Sequence, residues 1–174
     1  MFLYKKDIIK SRAFPFTREG ECKNSIALIG IGGNVGDSKR RFIKLLVKLR
    51  RDKLLKVLST SIIFKNPPFG YLEQDDFYNS VILVSTSLSP FELLRYLQRV
   101  ERYFRRKREF KNSPRTLDLD IIFYNKQRID KRNLKIPHYD WQNRKSVLIP
   151  IKYLKGKRCL KRVLSPQHLK RLIS

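Results

Sequence analysis

The sequence predicts an α+β domain with an antiparallel sheet, and three observations carry that prediction. Residues 117–124 alternate at period two, as a half-buried strand does, with Leu117, Leu119, Ile121 and Phe123 on one face and Asp118, Asp120, Ile122 and Tyr124 on the other. Ser89-Pro90-Phe91-Glu92 opens a helix with a capping box and a proline in its first turn. Strand-like and helix-like segments follow one another in the order β-α-β-β-α-β.

Residues 1–24 show no clean period and contain Pro15, Thr17, Gly20 and Asn24, so they read as an irregular N-terminal extension with a short helix near residues 7–12. Residues 25–31 are a short apolar run, a buried strand. Gly32, Gly33, Asn34, Val35, Gly36 and Asp37 follow, and three glycines there suit a tight turn with left-handed backbone angles. No Gly-Lys-Ser/Thr ending follows, so this is not a P-loop. Asp37 or Ser38 caps the next helix, whose Phe42, Leu45, Leu46 and Leu49 form one apolar stripe. Residues 54–64, rich in β-branched side chains, form a second strand. Lys65-Asn66-Pro67-Pro68-Phe69-Gly70 ends it, and two prolines stiffen a loop able to wall a pocket. Residues 77–86 return antiparallel as a third strand, because the connection is short. The helix from Ser89 continues through Leu93, Leu94, Leu97, Val100 and Phe104, with Gln98 and Glu101 one turn apart on a shared face. Arg105-Arg106-Lys107-Arg108 and a polar loop at 109–113 then deliver the chain into the Asp-x-Asp strand. This is the ferredoxin-like order. Residues 134–144, an apolar run at 147–151 and a basic tail form a C-terminal extension, so residues 25–174 read as one domain.

Composition narrows the function classes. With 41% hydrophobic and 11% aromatic residues the chain folds rather than staying disordered. No apolar run reaches bilayer-spanning length, and the start lacks a secretion signal's apolar core, so a cytoplasmic protein is expected. Cys22 and Cys159 have no metal-site spacing, and one disulfide between them is possible. The formal charge of +25 fits a nucleic-acid binder, a polyphosphate substrate or a lysine-rich solvated surface.

The chemistry gathers around residues 114–124. Two carboxylates side by side on one strand face repel unless a cation sits between them, and hard oxygen ligands suit Mg²⁺ with phosphates. A bare Asp-x-Asp is more often two ordinary solvent-facing aspartates, so its neighbours decide. Arg115 precedes the pair, an arginine loop lies upstream, and His138…Arg144 lies downstream. Metal and arginines together neutralise a transferring phosphoryl group, and such transfer needs no Ser or Cys nucleophile.

Pro114-Arg115-Thr116-Leu117-Asp118-Leu119-Asp120-Ile121, with Pro137-His138-Tyr139…Asn143-Arg144, closely resembles the signature of the 6-hydroxymethyl-7,8-dihydropterin pyrophosphokinase family of folate biosynthesis. Gly32-Gly33-Asn34-Val35-Gly36-Asp37, Asn66-Pro67-Pro68-Phe69-Gly70, Phe77-Tyr78-Asn79 and Gln98…Glu101 match as well, so the likeness runs from about Ile26 to Ile151. The resemblance implies transfer of the β,γ-diphosphate of ATP to a hydroxymethyl pterin, releasing AMP. It implies two Mg²⁺ ions on Asp118 and Asp120, and triphosphate contacts from Arg106, Arg108 and Arg115. It places Gln98, Ile121, His138, Tyr139 and Arg144 on the nucleotide. Asn79 would read the pterin edge, Asn66, Pro67 and Phe69 would line its pocket, and Phe77 would stack on its ring. Glu101 would orient neighbouring side chains rather than act as a base. ATP and the pterin are thus the expected partners; a monomer is expected, and neither membrane nor nucleic acid is.

Three departures stand out. Asn112-Ser113 replaces the family's Trp-Gly, Arg105-Arg106 replaces its Gly-Arg, and Ser146 takes the place of a second pterin-stacking aromatic. Phe69 or Trp141 is a candidate substitute for that aromatic. The competing readings are a catalytically impaired relative and a basic ferredoxin-like module for nucleic acid. The surfaces of the strands lack the paired aromatics of an RNA-recognition sheet, and His168 reads as a surface residue.

Overall fold

The computed structural model describes residues 5–18, 24–68, 70–107, 110, 113–154 and 157–168. Its strands are β1 (Ile8–Ile9), β2 (Phe16–Thr17), β3 (Ser25–Gly33), β4 (Leu55–Thr60), β5 (Ile63–Asn66), β6 (Phe77–Thr86), β7 (Asp118–Tyr124), β8 (Ile129–Lys131) and β9 (Leu134–Ile136). Its α-helices are α1 (Ser38–Arg51), α2 (Pro90–Tyr103), α3 (Lys145–Lys152) and α4 (Lys157–Leu160). A seven-stranded sheet runs β1-β5-β6-β3-β7, with β4 also paired to β6 and β2 to β4, and every pairing is antiparallel. β8 and β9 form a separate hairpin.

Strand alternation sends side chains to two cores. On one face Ala27, Ile29 and Ile31 of β3, Ile82 and Val84 of β6, and Leu119 and Ile121 of β7 meet the stripes of α1 and α2. On the other, Ile26, Leu28, Val81 and Leu83 meet Trp141, Val147, Ile151 and Leu160 of the C-terminal segment. The helix signals are present as hydrogen bonds. Asp37 accepts from the Arg40 amide at 2.9 Å, and the Ser89–Glu92 capping box closes in both directions.

Several expectations need correction. Gly32 and Gly33 belong to β3 rather than to a turn, and only Gly36 of that run has a left-handed φ, at 63°. A side chain at Gly33 would meet the Thr116 carbonyl at 2.6 Å, so close backbone approach is what requires glycine there. The single strand expected over 54–64 is two, β4 and β5, and Ser61 between them hydrogen-bonds Ser80 at 2.9 Å. Strand alternation in β7 breaks after Ile121: the register with β3 shifts between Leu28 and Ile29, and Ile122 and Phe123 both join the second core. His168 is not a free surface residue; its ring lies 5.1 Å from that of Trp141 and 5.2 Å from that of Phe123. Cys159 is buried and disulfide-bonded, whereas Cys22 lies outside the described residues.

The N-terminal residues also differ from an irregular extension. β1 lies along β5, β2 lies along β4, and residues 5–7 form a 3₁₀ turn in place of the expected helix. Phe14 is completely buried, with its ring 6.2 Å from that of Phe42, and Thr60 donates to the Ala13 carbonyl while accepting from the Phe16 amide. Truncating a buried phenylalanine removes transfer energy and leaves a cavity. Phe14→Ala is therefore expected to cost about 3–5 kcal/mol in urea unfolding. A cost below about 1 kcal/mol would show that the segment merely leans on the core.

Candidate active site

The site forms where β3, β6 and β7 run side by side. In the register Asp118 is opposite Gly32, which is opposite Asn79, which is opposite Phe64; one strand pair along, Asp120 is opposite Gly30, which is opposite Val81. Residues opposite one another in an antiparallel sheet share a face. The two aspartates and Asn79 therefore flank a strip floored by Gly30 and Gly32. A Cβ at Gly32 would stand 3.0 Å from Asn79 Oδ1, and one at Gly30 would stand 3.2 Å from Ile122 Cδ1, so the strip exists because these positions carry no side chain. This groove was hidden in the sequence, where Gly32 read as a turn former and Gly30 as one residue of an apolar strand.

Arginines close on the carboxylate side. Arg106 Nη1 donates to Asp118 Oδ1 at 2.8 Å and also pairs with Glu101, while Arg115 Nη1 donates to Asp118 Oδ2 at 2.9 Å. Glu101 is 4% exposed and accepts from the Leu119 amide at 2.7 Å, so it fixes both Arg106 and the start of β7. The guanidinium of Arg115 also lies over the Phe77 ring at 5.1 Å. Arg106 Nε, Arg115 Nε and Thr116 Oγ1 are buried without a protein hydrogen-bond partner. Asp120 is pushed up to about 7, first by burial and then by the neighbouring Asp118 charge, while Arg144 and Arg106 pull it back.

Arg105 adopts φ 57°, a left-handed angle that glycine takes without strain, just past the C-cap of α2. Its amide reaches the Arg102 carbonyl at 2.9 Å, and the Arg106 amide reaches that of Glu101 at 3.1 Å. That geometry explains a Gly-Arg pattern, and it places Arg106 rather than exposed Arg105 beside Asp118. Arg105→Gly should raise thermal stability by about 0.5–1 kcal/mol with no loss of activity. A destabilised variant would contradict the strain argument.

On the opposite flank Asn66 and Phe77 are paired across β5 and β6, and Asn79 Nδ2 donates to Asn66 Oδ1 at 2.5 Å. Phe77 is buried and Pro67 exposed. Downstream, the His138 amide donates to the Ile122 carbonyl at 2.9 Å, and its ring stacks on Tyr139 at 4.7 Å. Arg144 donates to Asp140 at 3.1 Å and approaches the Tyr139 ring at 5.9 Å.

Some predicted residues stand apart. Ile121 is 4% exposed and packs toward α1 and α2, away from the aspartates, so its side chain is not presented to a ligand on their face. Gln98 is exposed on α2, a turn before buried Glu101. Trp141 is 2% exposed and committed to the second core, which removes it as a stacking substitute; Ser146 lies in the first turn of α3. Arg108, Phe69 and Asn112 lie outside the described residues.

Two positioning residues were missed. Asn34 accepts from the Arg115 amide at 2.9 Å and donates to Gln74 Oε1 at 2.9 Å and the Asp75 carbonyl at 3.0 Å. Arg41 donates to the carbonyls of Val35 at 2.6 Å and Thr116 at 3.1 Å. Asn34 could have been suspected, as an asparagine directly after an apolar strand; Arg41 looked like ordinary helix surface.

His138 is pulled down to about 4, first by burial and then by the Arg144 charge. A ring that titrates near 6.5 when unfolded then takes up its proton first in the unfolded chain. Its stabilising contribution is complete above 6.5 and is lost as pH falls toward 4. Compared with wild type, His138→Gln should retain on the order of 1–2 kcal/mol more stability at pH 4.5 than at pH 7.5, since solvent screens part of the ring. Parallel pH–stability curves for the two proteins would contradict this.

The family model for 7,8-dihydro-6-hydroxymethylpterin-pyrophosphokinase matches residues 28–156. A protein of Campylobacter jejuni called 2-amino-4-hydroxy-6-hydroxymethyldihydropteridine pyrophosphokinase is 41% identical over 147 residues, covering 84% of this chain and 94% of that one. Proteins of the same name from Helicobacter pylori and Bacillus subtilis are 36% and 37% identical, over 84% and 74% of this chain and 91% and 77% of theirs. The chain belongs to the 7,8-dihydro-6-hydroxymethylpterin-pyrophosphokinase family.

Proposed function

We infer that the chain transfers the β,γ-diphosphate of ATP to the hydroxymethyl group of 6-hydroxymethyl-7,8-dihydropterin and releases AMP, a step of folate biosynthesis. One observation carries the reading: a glycine-floored groove has Asp118, Asp120 and two arginines on one flank, and Asn79, Asn66 and Phe77 on the other. Asp118 and Asn79 are two strands apart, about 10 Å. That span lets a bicyclic ring held at Asn79 present its hydroxymethyl group to the carboxylate flank.

The donor set suits Mg²⁺. It offers two carboxylates, and among the described residues no cluster of three His, Cys, Asp or Glu side chains competes to form an all-protein cage. When bound, Mg²⁺ (two ions in this reading) offsets phosphate charge and lowers the hydroxyl's pKa. Asp118 and Asp120 would hold it. Arg106 and Arg115, held beside Asp118, offset the charge of the transferring phosphates. Gln98, Arg108, Ile121, His138, Tyr139 and Arg144 hold the nucleotide; burial keeps the His138 ring neutral, so it can accept as well as donate. Phe77 stacks on the pterin, Asn79 and Asn66 read its edge, and Pro67 and Phe69 close the pocket.

The fold reads as ferredoxin-like: the core strands lie in the spatial order β7, β3, β6, then β4 with β5, and the segment after β7 covers the sheet's second face. Residues 25–174 are the pyrophosphokinase domain and residues 1–24 its extension. No helix among the described residues is long and apolar enough to cross a membrane. A cytoplasmic monomer accords with this reading. The test is AMP release by purified protein. It should require ATP, Mg²⁺ and the hydroxymethyl pterin together; no AMP with all three present would instead mark a catalytically impaired relative, as Ser146 would allow.

A further inference from the structure

Away from the groove, at the end of the sheet where Ser25 pairs with Thr86, lies a second concave site. β3 separates it from the catalytic end by roughly 25 Å, from strand rise. The cavity has a volume of about 590 Å³, and none of the described residues lining it belongs to the catalytic groove. Among the described residues its lining carries four cations, Arg18, Arg50, Lys53 and Lys56, against one acid, Asp52.

That acid is already engaged. Asp52 Oδ1 accepts from the Leu54 amide at 3.0 Å and Oδ2 accepts from the Tyr96 hydroxyl at 2.8 Å. Arg50 lies 4.4 Å over the Phe16 ring, and Arg18, Lys53 and Lys56 have no ion-pair partner among the described residues. Cations near a helix C-terminus offset its dipole, which accounts for Arg50 in the last turn of α1. It does not account for Lys56 on β4 or Arg18 beyond β2, which come from other elements to the same hollow. Uncompensated charges of one sign around a concave low-dielectric wall focus their field on an anion.

We propose that this cavity binds a phosphate-bearing small molecule of nucleotide size carrying at least two negative charges. Arg18, Lys53 and Lys56 hold the phosphates, and the Ser85 and Ser87 hydroxyls are within the lining to add hydrogen bonds. The volume lies in the range of pockets for small ligands.

The test is a titration of the full chain with sodium tripolyphosphate, without Mg²⁺, followed by amide chemical shifts. The expected result is movement of Val57, Ser85 and Thr86, separable from any movement at Asp118–Asp120. Lys53→Glu combined with Lys56→Glu should weaken the cavity response by roughly tenfold or more while leaving AMP formation unchanged. An ATP arm separates the sources: tighter binding than tripolyphosphate means that the base is read, equal binding means that phosphate alone is, and both support the site. Shifts confined to the catalytic groove, or an unaltered response in the double variant, would overturn the proposal. So would an RNA oligomer that moves the same amides far more tightly with a steep salt dependence, since the surface would then be a nucleic-acid face.

Discussion

Asp118→Asn and Asp120→Asn are each expected to cut turnover by at least about a thousandfold while the protein stays folded. The two variants separate in their stability. Asp120's carboxyl is raised to about 7 from 3.8 by burial and by Asp118. Its neutral form is therefore the one the ligand-free fold prefers: the stabilising contribution is full below about 4 and is lost as pH rises to about 7. Asp120→Asn keeps an uncharged group of the same shape. It should make the ligand-free protein more stable at pH 8, by on the order of 1–3 kcal/mol, while abolishing activity. Asp118→Asn gains no such relief, because it removes the charge that Arg106 and Arg115 share. Asp120 and His138 oppose one another between pH 4 and 7, so the wild-type curve is flatter than either single variant's. Thermal denaturation across that range, with an AMP assay, checks both halves. Retained turnover in Asp120→Asn, or its destabilisation at pH 8, would contradict this account.

Glu101→Ala should be the most destabilising change in the site, at about 3–5 kcal/mol. The Glu101 side chain is 5% exposed and answers two donors, the Arg106 guanidinium and the Leu119 amide. Truncation leaves a buried backbone N–H without an acceptor and an arginine, itself 10% exposed, with Asp118 as its remaining partner. Glu101→Gln keeps an oxygen for the Leu119 amide and loses only the charge, so it should cost about half as much. Urea unfolding of both variants checks the order. Equal and small losses would mean that the carboxylate does not organise the cluster.

Much of the fold was legible because its signals are local. The Ser89–Glu92 box, the Asp37 cap and the stripes of α1 and α2 need only neighbours within a few residues, and all are present. The Asp118/Asp120 pair was legible too, since a period of two fixes a face wherever the strand lies. What escaped depends on distant partners. Gly30 and Gly32 become a groove floor only beside β6 and β7. The reversal at Ile122–Phe123 is a bulge against β3, invisible in β7 alone. Phe14 enters the core through pairings with β4 and β5 that no short window contains. Trp141 sat beside a binding motif in sequence, yet the C-terminal segment turned it into the second core.

The most direct measurement is Mn²⁺ binding, in place of Mg²⁺, followed by electron paramagnetic resonance with and without a non-hydrolysable ATP analogue. The analogue is expected to tighten ion binding in wild type, and either Asp118→Asn or Asp120→Asn is expected to remove the gain. Undiminished nucleotide-linked binding in both variants would place the metal elsewhere and contradict it.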